Sequence, residues 1–251
     1  MFDLKGRLAL ITGSSRGLGY TFAEGIGKAG AEIVLNGRDK ETLATATLEL
    51  EEKGIKATYS VFDVNDEDAV VSEVQRIEKE IGPIDILINN AGLNLRHKLS
   101  DMPLEDWKTV LDVNLTGAFL LSREVSRGMI ARKRGKIINI CSMMSELGRP
   151  TTPAYAAAKG GLKMFTKALT VELAQYNIQV NGIGPGYFKT VMTKPLYTDK
   201  EFDGWICGRT PAGRWGDPEE LVGTAVFLSS EASNFVNGQI IYVDGGILAA
   251  L

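Results

Sequence analysis

Tyr155 and Lys159 are the two residues of this sequence whose types and spacing most clearly suggest chemistry. They stand four positions apart, so on a helix the phenol and the ammonium lie one turn apart on the same face. A nearby cation favours the phenolate, and we expect it to lower the pKa of Tyr155 toward neutrality. A tyrosine of this kind can act as a general acid/base. Ser142 ends an apolar run just upstream, at the edge where parallel sheets bind ligands.

A glycine-rich stretch, Thr12–Gly19, follows the first apolar run and precedes a helical pattern. Glycines there permit a tight turn and let the backbone approach a pyrophosphate, which the helix N-terminus then attracts. The spacing differs from the commonest dinucleotide fingerprint, so simple turn chemistry is the alternative for this stretch alone. The residues expected to contact a dinucleotide here are Gly13, Ser15, Arg16, Gly17, Leu18 and Gly19.

The second apolar run ends at Asn36-Gly37-Arg38, where NAD-binding chains usually carry an acid for the ribose 2′-hydroxyl. Gly37 leaves space there, and Arg38 and Arg16 supply cations that suit a 2′-phosphate. The sequence therefore favours NADP over NAD. The alternative is that both arginines are simply solvated.

Seven short apolar runs alternate with amphipathic stretches along the whole chain, which predicts parallel strands joined by helical crossovers. The fold class is therefore α/β, with one doubly wound sheet, helices on both faces and a single domain over residues 1–251. The predicted strands are Arg7–Thr12, Ala31–Asn36, Lys56–Val61, Ile84–Asn89, Gly135–Ser142, Ile178–Ile183 and Gln239–Val243. The predicted helices begin near Gly17, Lys40, Asn65, Pro103, Pro153 and Pro218.

Composition excludes several other classes of protein. The 251 residues include 28 Lys+Arg and 31 Asp+Glu, a net charge of −3, which argues against nucleic acid or an anionic membrane as a partner. No apolar run reaches the ~18 residues of a membrane span, and Asp3 stands where a secretion signal needs cations. Cys141 and Cys207 lack metal-ligand spacing. We therefore expect a cytoplasmic protein without a metal site or a disulfide.

Several motifs together make the chain resemble the short-chain dehydrogenase/reductase family over essentially its whole length. They are Thr12–Gly19, Asn89–Gly92, Asn114, Ser142, Tyr155, Lys159 and Pro185-Gly186. The resemblance implies a Rossmann-like seven-stranded sheet, hydride transfer between NAD(P) and an alcohol or carbonyl, and a homotetramer.

The resemblance also implies roles for individual residues. Tyr155 would be the acid/base, Ser142 would hydrogen-bond the reacting oxygen, and Lys159 would bind the nicotinamide ribose. Asn114 would hold a water that links Lys159 to solvent. Adenine contacts are expected at Asp63 and Val64, and contacts to the nicotinamide half at Asn90, Ala91, Gly92, Pro185, Gly186, Phe188 and Thr190.

Three stretches are similar to family members that interconvert D-gluconate and 5-dehydro-D-gluconate, which implies a small sugar-acid substrate. They are Ile138–Arg149, Asn177–Lys194 and Arg209–Leu221. Such a substrate needs a cation for its carboxylate, and an arginine can hold one with two parallel hydrogen bonds. Arg96 and Arg149 follow the fourth and fifth strands, and Tyr187 should border the same pocket. The alternative is that the arginines are solvated or pair with Asp101, Glu105 or Glu146.

Three further parts of the chain carry expectations. His97, the only histidine, is expected to pack or to bind a substrate hydroxyl rather than act as a base. Residues 190–213 form the least regular segment and are expected to be a lid over the substrate. The apolar end Ile247–Leu251 suggests burial in a subunit interface.

Two rival functions remain open. The first is reduction of 3-oxoacyl thioesters carried on an acidic protein, which requires a basic docking face; the only Lys/Arg cluster is Arg127–Lys136. Another sugar or polyol dehydrogenase is a variant of the main reading. The second rival is an NADP-binding sensor without catalysis, which would need none of Ser142, Tyr155 and Lys159.

Overall fold

The computed structural model of the protein describes residues 1–250. Its centre is one seven-stranded parallel sheet with strand order β3-β2-β1-β4-β5-β6-β7. The strands are β1 Leu8–Ile11, β2 Glu32–Gly37, β3 Ala57–Val61, β4 Ile84–Asn89, β5 Gly135–Ile140, β6 Ile178–Pro185 and β7 Ile240–Val243. The predicted α/β class and all seven strands are therefore confirmed, with ends that shift by one or two residues.

Helices cover both faces of the sheet. They are α1 Gly17–Lys28, α2 Lys40–Glu52, α3 Glu67–Glu80, α4 Leu104–Leu111, α5 Gly117–Arg132, α6 Pro153–Leu173, α7 Lys194–Tyr197, α8 Lys200–Arg209 and α9 Val222–Ser229. Helix α3 begins two residues later than expected because the Asp66 carboxylate caps it by accepting from the Ala69 N–H. Pro218 opens a short 3₁₀ turn, Pro218–Leu221, which leads into α9.

The core forms two layers, one on each face of the sheet. Side chains alternate along β1, so Ala9 and Ile11 join the layer that contains α1, α2 and α9. Leu8 and Leu10 join the layer that contains α3 and α5. All four strand residues of β1 are buried. The strands are apolar on both faces because helices cover both, as the continuous apolar runs predicted.

The ligand-binding edge follows from the strand order. β1 pairs with β2 on one side and with β4 on the other, so successive crossovers leave β1 toward opposite faces. In such sheets ligands bind outside the carboxyl ends of the strands at this reversal. The loops after β1, β4 and β5 all emerge at that edge, and they carry most of the predicted site residues.

Helices α4 and α5 are joined by a single wide π turn, Asp112–Thr116. The sequence analysis predicts a helix that begins near Pro103 but no separate helix beginning at Gly117. The core-facing side chain of α4 is Val110, which packs with α6 residues. Those of α5 include Leu121 and Val125, which pack under the sheet. Asn114 lies inside the π turn and is 1% exposed.

The expected irregular segment at 190–213 is largely helical. α7 and α8 occupy most of it, and Asp199 caps α8 by accepting from the N–H groups of Glu201 and Phe202. The description of this segment as irregular is therefore wrong, because a cap and local packing compensate for its weak apolar periodicity. Its role as a lid stays a prediction.

The carboxyl-terminal segment is partly covered by its own chain. Ile247 is 2% exposed, and the Gly246 and Leu248 N–H groups donate to the Asp244 carboxylate. Ile247 is therefore buried within its own chain and needs no partner subunit to cover it, contrary to the expectation that this apolar segment is buried in a subunit interface. Leu251, the last residue of the predicted apolar end, lies outside the described residues. Within residues 1–250, no helix is both long and apolar enough to cross a membrane.

Candidate active site

The loop after β1 and the turn after β4 are joined by a dense set of hydrogen bonds. The Asn90 side-chain amide donates to the Thr12 and Gly13 carbonyls at 2.9 and 3.0 Å. The backbone N–H groups of Asn90 and Ala91 both donate to Thr12 Oγ1, each at 3.0 Å. These bonds fix two loops that come from positions almost 80 residues apart in the chain. Asn90, Ala91 and Gly13 therefore lie together, as the sequence predicted.

The glycines of this loop test whether it could hold a dinucleotide. A Cβ on Gly19 would lie 2.4 Å from the Gly13 carbonyl oxygen, and one on Gly13 would lie 2.9 Å from Ala91 Cα. Gly13 and Gly17 have φ of +61° and +60°, but a Cβ on Gly17 would meet nothing within 4 Å. Two glycines thus allow close packing, while Gly17 borders open space at the start of α1. That cradle fits the pyrophosphate of a dinucleotide.

Buried hydrogen bonds also join the ends of β1, β2 and β3. The Asn36 N–H donates to Ser14 Oγ at 3.0 Å, and the Asn36 amide donates to the Phe62 carbonyl at 3.1 Å. This arrangement places the predicted adenosine contacts next to each other. Arg38 Nη1 lies 3.6 Å from Asp63 Oδ2, and the Arg38 side chain is 74% exposed. Arg38 is therefore a largely exposed cation at this corner, paired with Asp63.

Ser142, Tyr155 and Lys159 converge from β5 and α6. Ser142 is the second residue after β5 and accepts a hydrogen bond from the Met144 N–H at 3.1 Å. Lys159 Nζ lies 5.6 Å from the centroid of the Tyr155 ring and donates to the Ile140 carbonyl at 2.7 Å. The Lys159 carbonyl accepts from Ser145 Oγ, which fixes the turn after β5 against α6. The one-turn juxtaposition of phenol and ammonium is thus as expected.

The pKa directions at this pair differ from the expectation. Burial raises the pKa of Tyr155 to about 12, although a hydrogen bond to Ser142 acts in the opposite direction. Burial also lowers the pKa of Lys159 to about 8. The predicted lowering of the tyrosine pKa by the lysine is therefore wrong for this structure. The physical reason is that desolvation disfavours the charged form of both groups, while the ammonium is directed at the Ile140 carbonyl.

Asn114 carries an unsatisfied buried acceptor next to the site. Its Nδ2 donates to the Leu93 and Val110 carbonyls, each at 2.8 Å. Its Oδ1 is buried and has no hydrogen-bond partner among the described residues. A Cβ on Gly92 would lie 2.7 Å from this oxygen, so glycine keeps the space beside it open. A buried acceptor of this kind is where an ordered water binds.

The sequence reasoning missed a buried polar network beneath the site. Asn89 Nδ2 donates to Asn139 Oδ1 at 2.8 Å and to Ser122 Oγ at 2.9 Å. Asn139 in turn donates to Thr166 Oγ1 at 2.9 Å. The network ties β4 and β5 to α5 and α6, and so fixes the elements that carry Ser142 and Tyr155. The available signal was Asn139, a polar residue between Ile138 and Ile140 in the apolar part of β5.

The expected contacts to the nicotinamide half form one segment after β6. Pro185 ends β6 in the core, and Gly186 packs so closely on Asp244 that a Cβ would lie 2.7 Å from its Cα. Phe188 is 5% exposed and belongs to the core, whereas Thr190 is half-buried and hydrogen-bonds Thr193. On the adenine side, Val64 is 7% exposed and also lies in the core. Phe188 and Val64 are thus placed by their apolar side chains.

Arg96 and Arg149, on the loops after β4 and β5, lie close enough for their charges to interact. Partial burial and the positive charge of Arg149 lower the pKa of Arg96. Arg149 Nη1 donates to the Tyr187 hydroxyl at 3.2 Å, and its guanidinium stacks on the Phe202 ring at 4.3 Å from the centroid. Within residues 1–250 neither arginine forms an ion pair, and the acid proposed as an alternative partner, Glu146, pairs with Lys163 instead.

An aromatic cluster that includes Phe202 of α8 lies against Arg149. Tyr187, Phe202 and Trp215 make edge-to-face or tilted ring contacts with one another. The Trp215 N–H donates to the Asp203 carboxylate at 2.7 Å. Phe202 thereby connects α8 to Arg149, a contact that the sequence analysis did not foresee. His97 bonds Asp106 of α4 at 2.6 Å, a partner that the sequence analysis did not name.

The sequence and the fold both match known proteins. The pattern of the short chain dehydrogenase family matches residues 7–201. The chain is 53% identical over 251 residues to 5-keto-D-gluconate 5-reductase of Escherichia coli (strain K12), covering 100% of this chain and 99% of that one. It is 55% identical over 253 residues to 2-dehydro-3-deoxy-D-gluconate 5-dehydrogenase of Formosa agariphila, covering 100% and 96%.

A solved structure of a gluconate 5-dehydrogenase from Burkholderia cenocepacia J2315, in complex with NADP and tartrate, superimposes with a TM-score of 0.98. The two chains are 49% identical, and the match covers 100% of this chain and 98% of that one. Together with the strand order, the cradle after β1 and the convergence of Ser142, Tyr155 and Lys159, these matches show that the chain is an oxidoreductase of the short-chain dehydrogenase/reductase family.

Proposed function

We propose that the protein interconverts D-gluconate and 5-dehydro-D-gluconate with NADP as the hydride carrier. The observation that carries the proposal is the pair Arg96 and Arg149, two neighbouring guanidiniums without an acidic partner among residues 1–250. They belong to the loops after β4 and β5, and Arg149 donates to the Tyr187 hydroxyl. The names of the relatives from Escherichia coli and Burkholderia cenocepacia support the same substrate class.

The carboxylate of the sugar acid would bind at the two arginines. Two adjacent cations repel each other, and an anion between them removes that repulsion while forming charge-assisted hydrogen bonds. The stacking of Arg149 on Phe202 leaves edges of its guanidinium free for such bonds. Binding the carboxylate at one end sets which carbon reaches Tyr155. A neutral polyol lacks this anchor and would bind in several positions.

Tyr155, Ser142 and Lys159 would carry out the proton transfer. When bound, the nicotinamide supplies or accepts the hydride. In reduction the Tyr155 hydroxyl would give a proton to the forming alcohol; in oxidation the Tyr155 phenolate would take the proton from the alcohol. Ser142 would hold the same oxygen in both directions. Burial raises the pKa of Tyr155 to about 12, so this tyrosine is a proton donor in the reductive direction. Lys159 and a water on Asn114 Oδ1 would return the proton from solvent.

NADP is the cofactor that the corner at Arg38 favours. β2 ends in Gly37 without an acidic side chain, and Arg38 is largely exposed beside Asp63. Arg38 and Arg16 would neutralise the 2′-phosphate, and Asp63 would accept from the adenine. NAD would lose those charge-assisted bonds, so it is the weaker substrate. The expected cofactor contacts at Ser15, Leu18 and the segment Pro185–Thr190 belong to the same proposal.

The rival reading as a 3-oxoacyl-thioester reductase fits the surface charges less well. The three arginines of its candidate docking cluster, Arg127–Lys136, are already paired: Arg127 with Glu124, Arg132 with Glu78 and Arg134 with Asp85. Lys136 is buried at the start of β5, at the opposite edge of the sheet from Ser142. The cluster therefore offers no basic face beside the active site to an acidic carrier protein.

A substrate panel tests the proposal. The purified protein is assayed with NADP and NAD on gluconate, 2-dehydro-3-deoxy-D-gluconate, sorbitol and a 3-oxoacyl thioester, following the absorbance of the reduced nicotinamide. We expect kcat/KM to be highest with NADP and a sugar acid. The deoxy sugar acid is included because it also combines a terminal carboxylate with reaction at carbon 5. Faster turnover of sorbitol or of the thioester would refute the proposal.

Arg96→Ala isolates the carboxylate. It should raise KM for gluconate by about 10–100-fold, because a hydrogen bond between charged groups contributes roughly 1.5–3 kcal/mol. KM for sorbitol should stay nearly unchanged. An equal loss on both substrates would mean that Arg96 only supports the fold, and the anchor would have to be sought at Arg149 or Lys189.

We also propose that the protein is a cytoplasmic homotetramer. Large apolar side chains remain exposed on two helices, namely Phe119 on α5 and Met164 and Val171 on α6. Contact between copies of these helices would cover them. Light scattering coupled to gel filtration should give four times the mass of the chain, and Val171→Lys should shift the assembly to smaller species. A monomeric parent protein would refute this part.

A further inference from the structure

The two arginines proposed to bind the carboxylate stand on separate loops that must be held together. Arg96 belongs to the segment after β4, and Arg149 to the segment after β5. Burial is the main cause of the lowered pKa of Arg96, and the positive charge of Arg149 adds to it, because the two like charges repel each other. Within residues 1–250 neither guanidinium has an acidic partner to offset the repulsion. Something else in the fold must keep the loops in contact.

A set of hydrogen bonds through His97 connects the two loops. The His97 backbone N–H donates to the Thr151 carbonyl at 3.2 Å, and His97 Nε2 lies 2.6 Å from Asp106 Oδ2. On the other loop, Thr152 Oγ1 donates to the Arg149 carbonyl at 2.9 Å. The residue next to Arg96 is thus bonded to the loop of Arg149 and to α4. We call His97, Asp106 and Thr151 the loop clasp.

The backbone at Thr151 indicates that this contact is enforced. Thr151 has φ of +70°, a conformation that is unfavourable for a β-branched residue. Such residues persist only where surrounding contacts hold them. The Thr151 carbonyl is the acceptor for His97, so the strained residue lies at the point where the two loops meet.

Asp106, which bonds His97, lies on a helix that is packed against the rest of the fold. It lies in the first turn of α4, whose Trp107 and Val110 pack with Leu93 and Leu95 of the segment after β4. The same cluster contains Tyr155 and Ala154 of α6. Asp106 and the segment after β4 therefore both belong to packed parts of the fold. Because Arg96 is the neighbour of His97 in the chain, the hydrogen bonds of His97 also fix the position of Arg96.

We propose that Asp106 and His97 are positioning residues that hold Arg96 beside Arg149 and so determine the preference for substrates with a carboxylate. This inference rests on the proposed function, since it explains how the two arginines that would bind the carboxylate are kept in place. Neither residue touches the reacting atoms. Their loss should release the Arg96 loop, let the two cations move apart, and weaken binding of an anion without slowing proton or hydride transfer on neutral substrates.

The test compares Asp106→Ala with Glu105→Gln. Glu105 is the exposed neighbour of Asp106 in α4 and serves as the matched control. Asp106→Ala should raise KM for gluconate about tenfold, the size expected for one charged hydrogen bond, with kcat and the sorbitol kinetics nearly unchanged. Glu105→Gln should match the parent. Asp106→Asn, which keeps an acceptor for His97, should recover part of the loss.

Binding without turnover gives a second readout. The dissociation constant of tartrate for the protein loaded with NADP is measured by calorimetry, since tartrate presents carboxylates but needs no turnover. Asp106→Ala should weaken tartrate binding by a similar factor. In an Arg96→Ala background the same substitution should have no further effect, because a residue that acts through Arg96 cannot act without it.

The outcomes separate this inference from the proposed function. If Asp106→Ala lowers kcat/KM equally for gluconate and sorbitol, or adds its full effect to Arg96→Ala, the clasp is merely structural and the inference is overturned. If Arg96→Ala itself fails to discriminate between the two substrates, carboxylate recognition by Arg96 fails, and the inference falls with it. Selectivity in Arg96→Ala without selectivity in Asp106→Ala overturns the clasp alone.

Discussion

Alanine substitutions at Gly13 and Gly17 should separate two effects: the loss of stability from disturbed packing and the loss of cofactor affinity from a blocked approach. Both have nearly the same left-handed backbone, with φ of +61° and +60°. An alanine in that conformation costs about 1–2 kcal/mol, so this penalty is common to both substitutions. The two positions differ in their surroundings, because a Cβ on Gly13 would lie 2.9 Å from Ala91 Cα, whereas one on Gly17 would meet nothing within 4 Å.

The expected stabilities follow from this difference. Gly17→Ala should lower the free energy of unfolding by about 1–2 kcal/mol. Gly13→Ala should lower it by roughly 2–5 kcal/mol, because displacing the Ala91 backbone adds an overpacking cost of about 1–3 kcal/mol. For a chain of this size the corresponding losses in Tm are about 2–8 °C and about 4–20 °C. Urea and thermal unfolding of the cofactor-free proteins measure both.

Cofactor binding should rank differently, because the open space beside Gly17 is where a pyrophosphate would meet the start of α1. A methyl group there would raise the Kd for NADPH about tenfold or more, the loss of at least one charge-assisted hydrogen bond. Titration of NADPH fluorescence measures this. If Gly17→Ala binds NADPH like the parent, or if the two variants lose equal stability, the assignment of packing to Gly13 and ligand approach to Gly17 is refuted.

Three further predictions concern single side chains. Tyr155→Phe should lower kcat by about 10²–10⁴-fold with an unchanged Kd for NADPH; a variant that keeps most of its kcat would rule out Tyr155 as the acid/base. Arg38→Ala should reduce the ratio of kcat/KM with NADP to that with NAD by about 10-fold or more, and no preference in the parent would contradict our interpretation of this corner. Burial lowers the pKa of Lys136 from 10.5 to about 8. Between pH 8 and pH 10.5 unfolding therefore takes up a proton, and the free energy of unfolding rises with pH over this range. Lys136→Met should reduce that rise by about 1–3 kcal/mol, as measured by urea titrations at several pH values.

The sheet could be predicted because its strands are buried on both faces. β4, Ile84–Asn89, is apolar except for Asp85 and Asn89, and such runs have few alternatives in a chain with intervening amphipathic stretches. The site could be predicted in outline for a related reason. Residues just beyond the carboxyl ends of parallel strands meet at one edge, so Asn90 and Ser142 had to emerge near the same crevice.

Other features depend on the assembled structure. The pKa of Tyr155 follows from how deeply α6 is packed, which the spacing to Lys159 does not reveal. The contact between His97 and Asp106 requires the path of the loop after β4, and the left-handed backbone of Thr151 has no signal in a β-branched residue. Helix α8 did have a signal, since Asp199 is a favourable N-cap residue, but the apolar pattern after it is weak.

The π turn at Asp112–Thr116 restricts how this part of the chain can change in length. α4 and α5 form one rod in which Val110 faces the cluster around Tyr155 and Leu121 faces the layer under the sheet. Each residue of an α-helix turns the chain by about 100°, and the wide turn sets the angle between these two buried faces. Removing one residue there would restore a regular helix and rotate either Val110 or Leu121 out of its cluster. Homologous chains should therefore exchange residues freely on the outer surface of this rod while keeping the number of residues between α4 and α5 constant.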